Sequence, residues 1–276
     1  MQLALINGNP REAFPNGRGQ CPQCGSEMVA KCGSRKMHHW AHHRTKNCDP
    51  WWENETQWHR EWKNLYPISC REVSHTAKDG EIHRADLKTP TGIVIELQHS
   101  AMSDDERISR EDFYQNLVWV LDGSVFAKNF DIYHMLPAPD SIIAQDIVWS
   151  RAKRHMDGSN RGLFFRVSEA REEDPMVTKA TVRGGWIHSL RDIEAEVALF
   201  YRGHHQYDWV RPRKTWLEAK CPVYIDFGDE HLVKLCTYDE SGLQCIQFVA
   251  KRKFLHDSMH EKHAENIATN FYSLPG

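Results

Sequence analysis

The sequence predicts an α/β protein in which a mixed sheet is flanked by helices, preceded by a Cys/His segment and followed by a β-rich C-terminal part. Three observations carry this expectation. A helical pattern from about residue 54 leads into two strand-like stretches joined by Thr89-Pro90-Thr91-Gly92, which is turn chemistry. A second helix signal starts at Ser103-Asp104-Asp105-Glu106, where Ser103 and Glu106 have the spacing of a capping box. Leu117-Val118-Trp119-Val120-Leu121 then reads as a strand buried on both faces, and a strand reached through a helix in this way belongs to a mixed sheet covered by helices.

Taken in order, residues 3 to 6 and a shorter piece at 13 to 14 read as strands around the Asn7-Gly8-Asn9-Pro10 turn. In the first helix Asn54 is the expected cap, with Gln57 three residues on. Trp58, Trp62 and Leu65 form its apolar stripe, and Pro67 ends it. The second helix is expected to run to about Asn116. Pro137-Ala138-Pro139-Asp140 marks the expected domain boundary, giving an N-terminal Cys/His segment (1–50), a core (51–138) and a C-terminal accessory domain (139–276). In that last part residues 223–227, 232–237 and 243–249 read as a β meander. Trp149, Trp186, Trp209 and Trp216 read as core residues, with a base-stacking platform as the alternative.

A chain of 276 residues with 40 % hydrophobic content can bury a sizeable core. Its net charge of −3 excludes the global positive field of proteins that coat nucleic acid, so any DNA contact must be local. Arg151/Lys153/Arg154, Arg211/Arg213/Lys214 and Lys251/Arg252/Lys253 are candidates, although such runs are more often solvated faces. No apolar run reaches the roughly 18 residues of a membrane span. The opening MQLALINGNP lacks the regions of a signal peptide, so a cytoplasmic chain with reduced thiols is expected.

The stretch from Ile82 to Ser100 carries the most chemistry. It places Asp86 on one strand and Glu96 and Gln98 on the next, and strand alternation points Val94, Glu96 and Gln98 to one face. With an odd hairpin loop Asp86 joins that face as a diagonal neighbour of Glu96, and two carboxylates converge on one divalent cation. Asp86 alone reads more readily as a solvated acid; the arrangement as a whole points to metal-dependent hydrolysis. Glu55, His59 and Lys63, four residues apart, line one stripe of the preceding helix. On spacing alone an ordinary surface ladder is the leading reading; position just ahead of the hairpin shifts it toward Glu55 as a third acid.

Cys21 and Cys24 have the spacing with which two thiolates grip one zinc from a tight turn. Further ligands must come from His38, His39, His42, His43 and Cys48. The expected set is Cys21, Cys24, His42 and Cys48, with His39 as substitute and Trp40 packed beneath. Four protein ligands leave no open position, so such a zinc is structural. The alternative is free thiols beside a solvated His-rich loop. Cys32, Cys70, Cys221, Cys236 and Cys245 read as buried small hydrophobes.

These motifs together resemble a known family. His39-Trp40-Ala41-His42, Glu55 with His59 and Lys63, Arg84-Ala85-Asp86, Ile95-Glu96 with Gln98 and Ser100, and Arg110 with Tyr114 ahead of the strand to Leu121 are similar to the competence protein CoiA-like family, placed in the PD-(D/E)XK nuclease superfamily. The resemblance covers roughly residues 1 to 135. It implies a restriction-endonuclease-like core, Mg2+-dependent cleavage of DNA and a zinc-binding N-terminal segment. In that pattern Asp86 is the first acid, Glu96 the acid of the following strand and Glu55 the helical acid. Gln98 departs from the usual lysine; a glutamine can orient a water but brings no charge to lower its pKa.

The expected activity is therefore hydrolysis of phosphodiester bonds in DNA. Asp86 and Glu96 would hold Mg2+ or Mn2+, and Gln98 would position water. Lys63 or His59 would supply positive charge, and Arg110 would touch phosphate or tie its helix to the sheet. Two rivals are a zinc-containing nucleic-acid-binding module with an inactive nuclease core and a subunit active only with a partner. A zinc hydrolase is disfavoured because the His-rich loop lacks HExxH spacing. The C-terminal domain could grip substrate, bind a partner protein or pair protomers.

Overall fold

The computed structural model describes residues 1–34, 37–44, 55–76, 80, 82–155, 162–212 and 214–268. The chain forms two compact units, Met1–Asp122 with Leu255–Ala268, and Gly123–Phe254.

The first unit begins with a five-stranded antiparallel sheet made of β1 (Leu3–Ile6), β2 (Asn9–Glu12), β3 (Arg18–Gln20), β4 (Glu27–Lys31) and β5 (His39–His42), in the order β2-β1-β3-β4-β5. Asn7 and Gly8, both at positive φ, make the β1–β2 hairpin, as an Asn-Gly turn should. The second strand is β2, and it ends before the expected piece at 13–14. Pro10 belongs to it because β2 is an edge strand, where a missing N–H costs nothing. Met1, Ala4, Cys21, Met28 and Trp40 form the core of this part.

Helix α1 (Gln57–Asn64) follows. Thr56 caps it, in a reciprocal box with His59, so Thr56 takes the role expected of Asn54, which lies outside the described residues. Its buried face is also different from the expected stripe: His59, Trp62 and Lys63 are buried, whereas Leu65 is exposed. The helix turns its polar stripe inward because that stripe meets carboxylates.

Next come β6 (Arg71–Thr76), β7 (Ile82–Lys88), β8 (Val94–Gln98), α2 (Asp104–Phe113) and β9 (Leu117–Asp122). The strands lie in the order β9-β8-β7-β6, with β8 and β9 parallel and the other pairs antiparallel. Ser103 caps α2 by accepting from the Glu106 amide. The helix stops at Phe113 rather than near Asn116, since Tyr114 already has extended φ and ψ. β9 is buried along its whole length, as its unbroken apolar sequence requires.

The second unit contains β10 (Phe130–Pro137), β11 (Ile147–Trp149), β12 (Leu163–Arg166), α3 (Val167–Glu173), β13 (His188–Ser189), α4 (Glu194–Phe200), β14 (Tyr201–Trp209), α5 (Lys214–Leu217), β15 (Val223–Asp226), β16 (His231–Thr237) and β17 (Gln244–Ala250). Strands β10-β14-β17-β16-β15 are antiparallel neighbours, and β11-β12-β13 form a small separate sheet. The expected meander is β15–β17. Trp149, Trp209 and Trp216 are buried, but Trp186 is 79 % exposed. It follows Gly184-Gly185 at the end of the connection between α3 and β13. Helices α6 (Lys251–Met259) and α7 (Glu261–Ala268) complete the described chain. Among the described residues no helix is long and apolar enough to cross a membrane.

Candidate functional site

The hairpin of β7 and β8 closes through Thr89–Ile93, where the Thr89 amide bonds to the Ile93 carbonyl at 2.9 Å and Gly92 takes φ +85°. Its main-chain register is Lys88↔Val94 and Leu87↔Ile95. One step further, Asp86 stands opposite Glu96 rather than diagonal to it, and side chains take over from the ladder. The Asp86 amide donates to Glu96 Oε1 at 3.3 Å, and the Leu97 amide donates to Asp86 Oδ2 at 3.1 Å. Buried backbone donors need partners; here two carboxylates supply them at the point where the strands part. Asp86 is the more accessible of the two, its side chain 24 % exposed against 5 % for Glu96.

Each acid has its own cation. Lys63 Nζ lies 3.0 Å from Asp86 Oδ1, 3.2 Å from Glu55 Oε1 and 3.3 Å from Glu72 Oε1. Burial alone would raise the Asp86 pKa, but the Lys63 ammonium outweighs it and holds the carboxyl below its ordinary range. Burial likewise disfavours the Lys63 charge, yet Asp86, Glu72 and Glu55 together push its pKa far above the usual value. Glu96 Oε2 accepts from Arg110 at 2.9 Å, and the same guanidinium reaches Glu106 at 2.6 Å. Arg110 thus ties α2 to β8. Glu55 is divided between Lys63 and Arg60, the latter at 2.8 Å, and does not form with Asp86 and Glu96 a three-ligand group within 4.8 Å.

Glu72 has no counterpart in the sequence reading. It is buried at positive φ (+52°), and its two oxygens accept from the Gln2 and Leu3 amides at 2.9 Å each. Burial opposes its charge; Lys63 and Arg84 outweigh that and hold its pKa well below the carboxylate range. Glu72 therefore couples β1 to the acidic hairpin through Lys63. The only signal for it was a charged residue beside Val73 in an otherwise ordinary strand.

His59 is engaged at both ring nitrogens. Nε2 donates to the Leu97 carbonyl at 3.0 Å, and Nδ1 accepts from the Thr56 amide at 3.3 Å. Gln98 faces the same side of β8 as Glu96, and its amide nitrogen donates to the Ser100 carbonyl and hydroxyl at 3.3 and 3.2 Å.

The second cluster lies in the five-stranded sheet. Cys21 and Cys24 sit on the turn between β3 and β4, closed by Gly25 N–H to Cys21 O at 2.9 Å with Gly25 at φ +70°, a conformation that favours glycine. His42, on β5, brings Nε2 to 3.3 Å from Cys24 Sγ. The donor atoms of Cys21, Cys24 and His42 all lie within 4.8 Å of one another, and the group can hold a metal such as zinc. Burial acts to raise the Cys24 thiol, but hydrogen bonds from Ser26, then His42 and Cys21, bring it down to about 6, toward the thiolate a metal requires. Trp40 packs with Cys21 in the core beneath.

The other candidates are placed elsewhere. His39 lies three residues from His42 on the same strand, hence on the opposite face, with Nδ1 on the Met37 carbonyl at 2.8 Å. His43 faces Glu27 at 3.4 Å. Cys48 is outside the described residues. Of the cysteines read as buried hydrophobes, Cys70 and Cys245 are buried, whereas Cys32, Cys221 and Cys236 are half-buried.

Residues 13–50 match the family model described as Competence protein CoiA, N-terminal domain. The match spans β3 to β5 and supports a CoiA-like family for the segment that carries Cys21, Cys24 and His42. Neither the curated proteins nor the solved structures contain a match.

Proposed function

We propose that this chain is a divalent-cation-dependent DNA nuclease of the PD-(D/E)XK type, in which a CoiA-like segment with a structural zinc precedes a restriction-endonuclease-like core. One observation carries the reading: Asp86 and Glu96 face each other across neighbouring strands where the ladder gives way to side chains. Two carboxylates so placed are the hard oxygen donors that suit Mg2+ or Mn2+. Such an ion, when bound, neutralises phosphate charge and makes a coordinated water more acidic. Zinc would be held by Cys21, Cys24 and His42, with Cys48 as the fourth ligand.

The chain's own residues prepare this site. Lys63 and Arg110 orient Asp86 and Glu96, and Lys63 keeps Asp86 ionised, the form that binds a cation. Lys63 is the cationic group in contact with Asp86, Glu55 and Glu72, and His59, held by Thr56 and Leu97, also acts to lower the Asp86 carboxyl. Gln98 holds the place of the usual lysine and can orient water without charging it. Arg110 acts as a tether between helix and sheet.

The test is incubation of supercoiled plasmid and single-stranded DNA with wild type, Asp86→Asn and Glu96→Ala, in Mg2+, Mn2+ or chelator. Cleavage by wild type alone, abolished by chelator, is expected. Equal cleavage by wild type and variants would refute the assignment. A nucleic-acid-binding module with an inactive core is the second reading, favoured by the engagement of Asp86, Glu96 and Glu55 by protein cations. It predicts a gel shift without nicking in any metal; cleavage that returns only with a co-purified protein would instead mark a partner-dependent subunit.

A further inference from the structure

Cys236 on β16 and Cys245 on β17 stand directly opposite each other in the antiparallel register, and both are free thiols. Two steps along the same ladder the Tyr238 amide donates to the Leu243 carbonyl at 2.8 Å. Hydrogen-bonded pairs recur at every second position, so Cys236 and Cys245 form such a pair, with Cα atoms about 5.5 Å apart. A disulfide spans roughly 4.4–6.8 Å between Cα atoms. Directly opposed Cβ atoms lie about 4.5–5.5 Å apart, whereas a disulfide wants about 3.5–4.5 Å. A bond is therefore within reach, but it must draw the two strands together, and such a bond is easily reduced.

The two thiols already meet through a hydrogen bond between their sulfurs. That contact, helped by the Lys234 ammonium, outweighs burial and holds the Cys236 thiol below its ordinary pKa. The same contact, followed by burial, pushes Cys245 up. One sulfur is thus the better nucleophile and the other the proton-bearing partner. Cys236 Sγ also lies 3.6 Å from the Lys234 carbonyl. Burial separates the pair in the same sense. Cys245 is fully buried in a core cluster, whereas Cys236 is half-buried at its edge and lines a pocket of about 630 Å³ in the second unit.

We propose that Cys236 and Cys245 are a peroxide-responsive pair that closes to a reversible disulfide between β16 and β17. The Cys236 thiolate attacks one oxygen of a hydroperoxide; the O–O bond breaks, the other oxygen takes a proton and leaves as water or an alcohol, and Cys236 becomes a sulfenic acid. The Cys245 sulfur then attacks the Cys236 sulfur, and its proton departs with the sulfenic hydroxyl as water. Two thiols and one hydroperoxide give one disulfide, one water and one alcohol or second water, with two electrons passing from sulfur to peroxide oxygen. A small dithiol reverses the change by exchange. The proposal is independent of the nuclease reading, because both cysteines belong to the second unit.

The experiment treats the zinc-loaded, reduced full chain with a small excess of hydrogen peroxide, quenches with N-ethylmaleimide and digests with a protease that cuts at acidic residues, separating the two cysteines at Asp239 and Glu240. Mass spectrometry should find Cys236 joined to Cys245, returned to thiols by dithiothreitol, and formed at least about tenfold faster than the buried Cys70 is oxidised. Cys245→Ser should stop Cys236 at the sulfenic acid, trapped by dimedone, and Cys236→Ser should leave Cys245 unoxidised. The wild-type linkage is decisive without either variant. Linkage that forms only in urea, linkage of Cys236 to Cys221 of the same pocket instead, or oxidation of Cys236 no faster than that of Cys70 would overturn the proposal.

Discussion

Replacing Lys63 by methionine removes the one ammonium that Asp86, Glu55 and Glu72 share, at 3.0, 3.2 and 3.3 Å, and leaves a side chain of similar length. At an effective dielectric of about 20, each such contact is worth about 5 kcal/mol of gross attraction, most of it offset by desolvation and by repulsion among the acids. What counts is the charge left behind. Breaking a buried pair from one side costs about 3–5 kcal/mol, and at about 3 °C per kcal/mol Tm should fall by roughly 10–15 °C. The loss should also depend on pH. In the wild type, Asp86 and Glu72 are held below their ordinary values near 4, so their stabilisation is present above that pH and fades as pH falls toward the lowered values. Without the ammonium, burial drives these carboxyls upward and they protonate earlier. The gap between wild type and Lys63→Met should therefore be full at pH 7 and narrow toward pH 4. Urea unfolding followed by tryptophan fluorescence across that range, with zinc held constant, measures it. A gap under about 1 kcal/mol at pH 7, or one of constant size at all pH values, would refute the reasoning.

Three further outcomes follow from the same contacts. His42→Ala and Cys24→Ser should each lower zinc content by metal analysis, whereas His39→Ala, on the opposite face of β5, should leave it unchanged. Arg110→Leu strands the buried Glu96 and should cost about 3–5 kcal/mol in chemical denaturation, together with any cleavage activity. Thr56→Ala removes the cap of α1 and should cost about 1 kcal/mol by the same measurement, loosening the helix that carries Lys63.

Much of this arrangement was legible in the residues. The apolar run of β9, the Ser103 cap, the Cys21–Cys24 turn and the β15–β17 meander each obey a local rule that their own sequence states. The pairing of Asp86 with Glu96 followed from strand alternation and an odd loop, although direct opposition rather than a diagonal depended on the five residues Thr89–Ile93. What escaped was set by tertiary partners. Burial of His59 and Lys63 in place of Leu65 makes sense only once three carboxylates surround the lysine. Glu72 depends on two backbone amides about 70 residues earlier in the chain, which no local pattern announces. Trp186 looked like core by composition, and its exposure depends on the long connection in which it sits.

The central claim is that Asp86 and Glu96 together capture one divalent cation. Titration of Mn2+ into zinc-loaded protein, followed by the loss of free-ion signal in electron paramagnetic resonance, tests it without reference to any substrate. One Mn2+ should bind per wild-type chain and none to Asp86→Asn or Glu96→Gln, with zinc content equal in all three. Undiminished binding by both variants, or no binding by a folded wild type, would contradict the account.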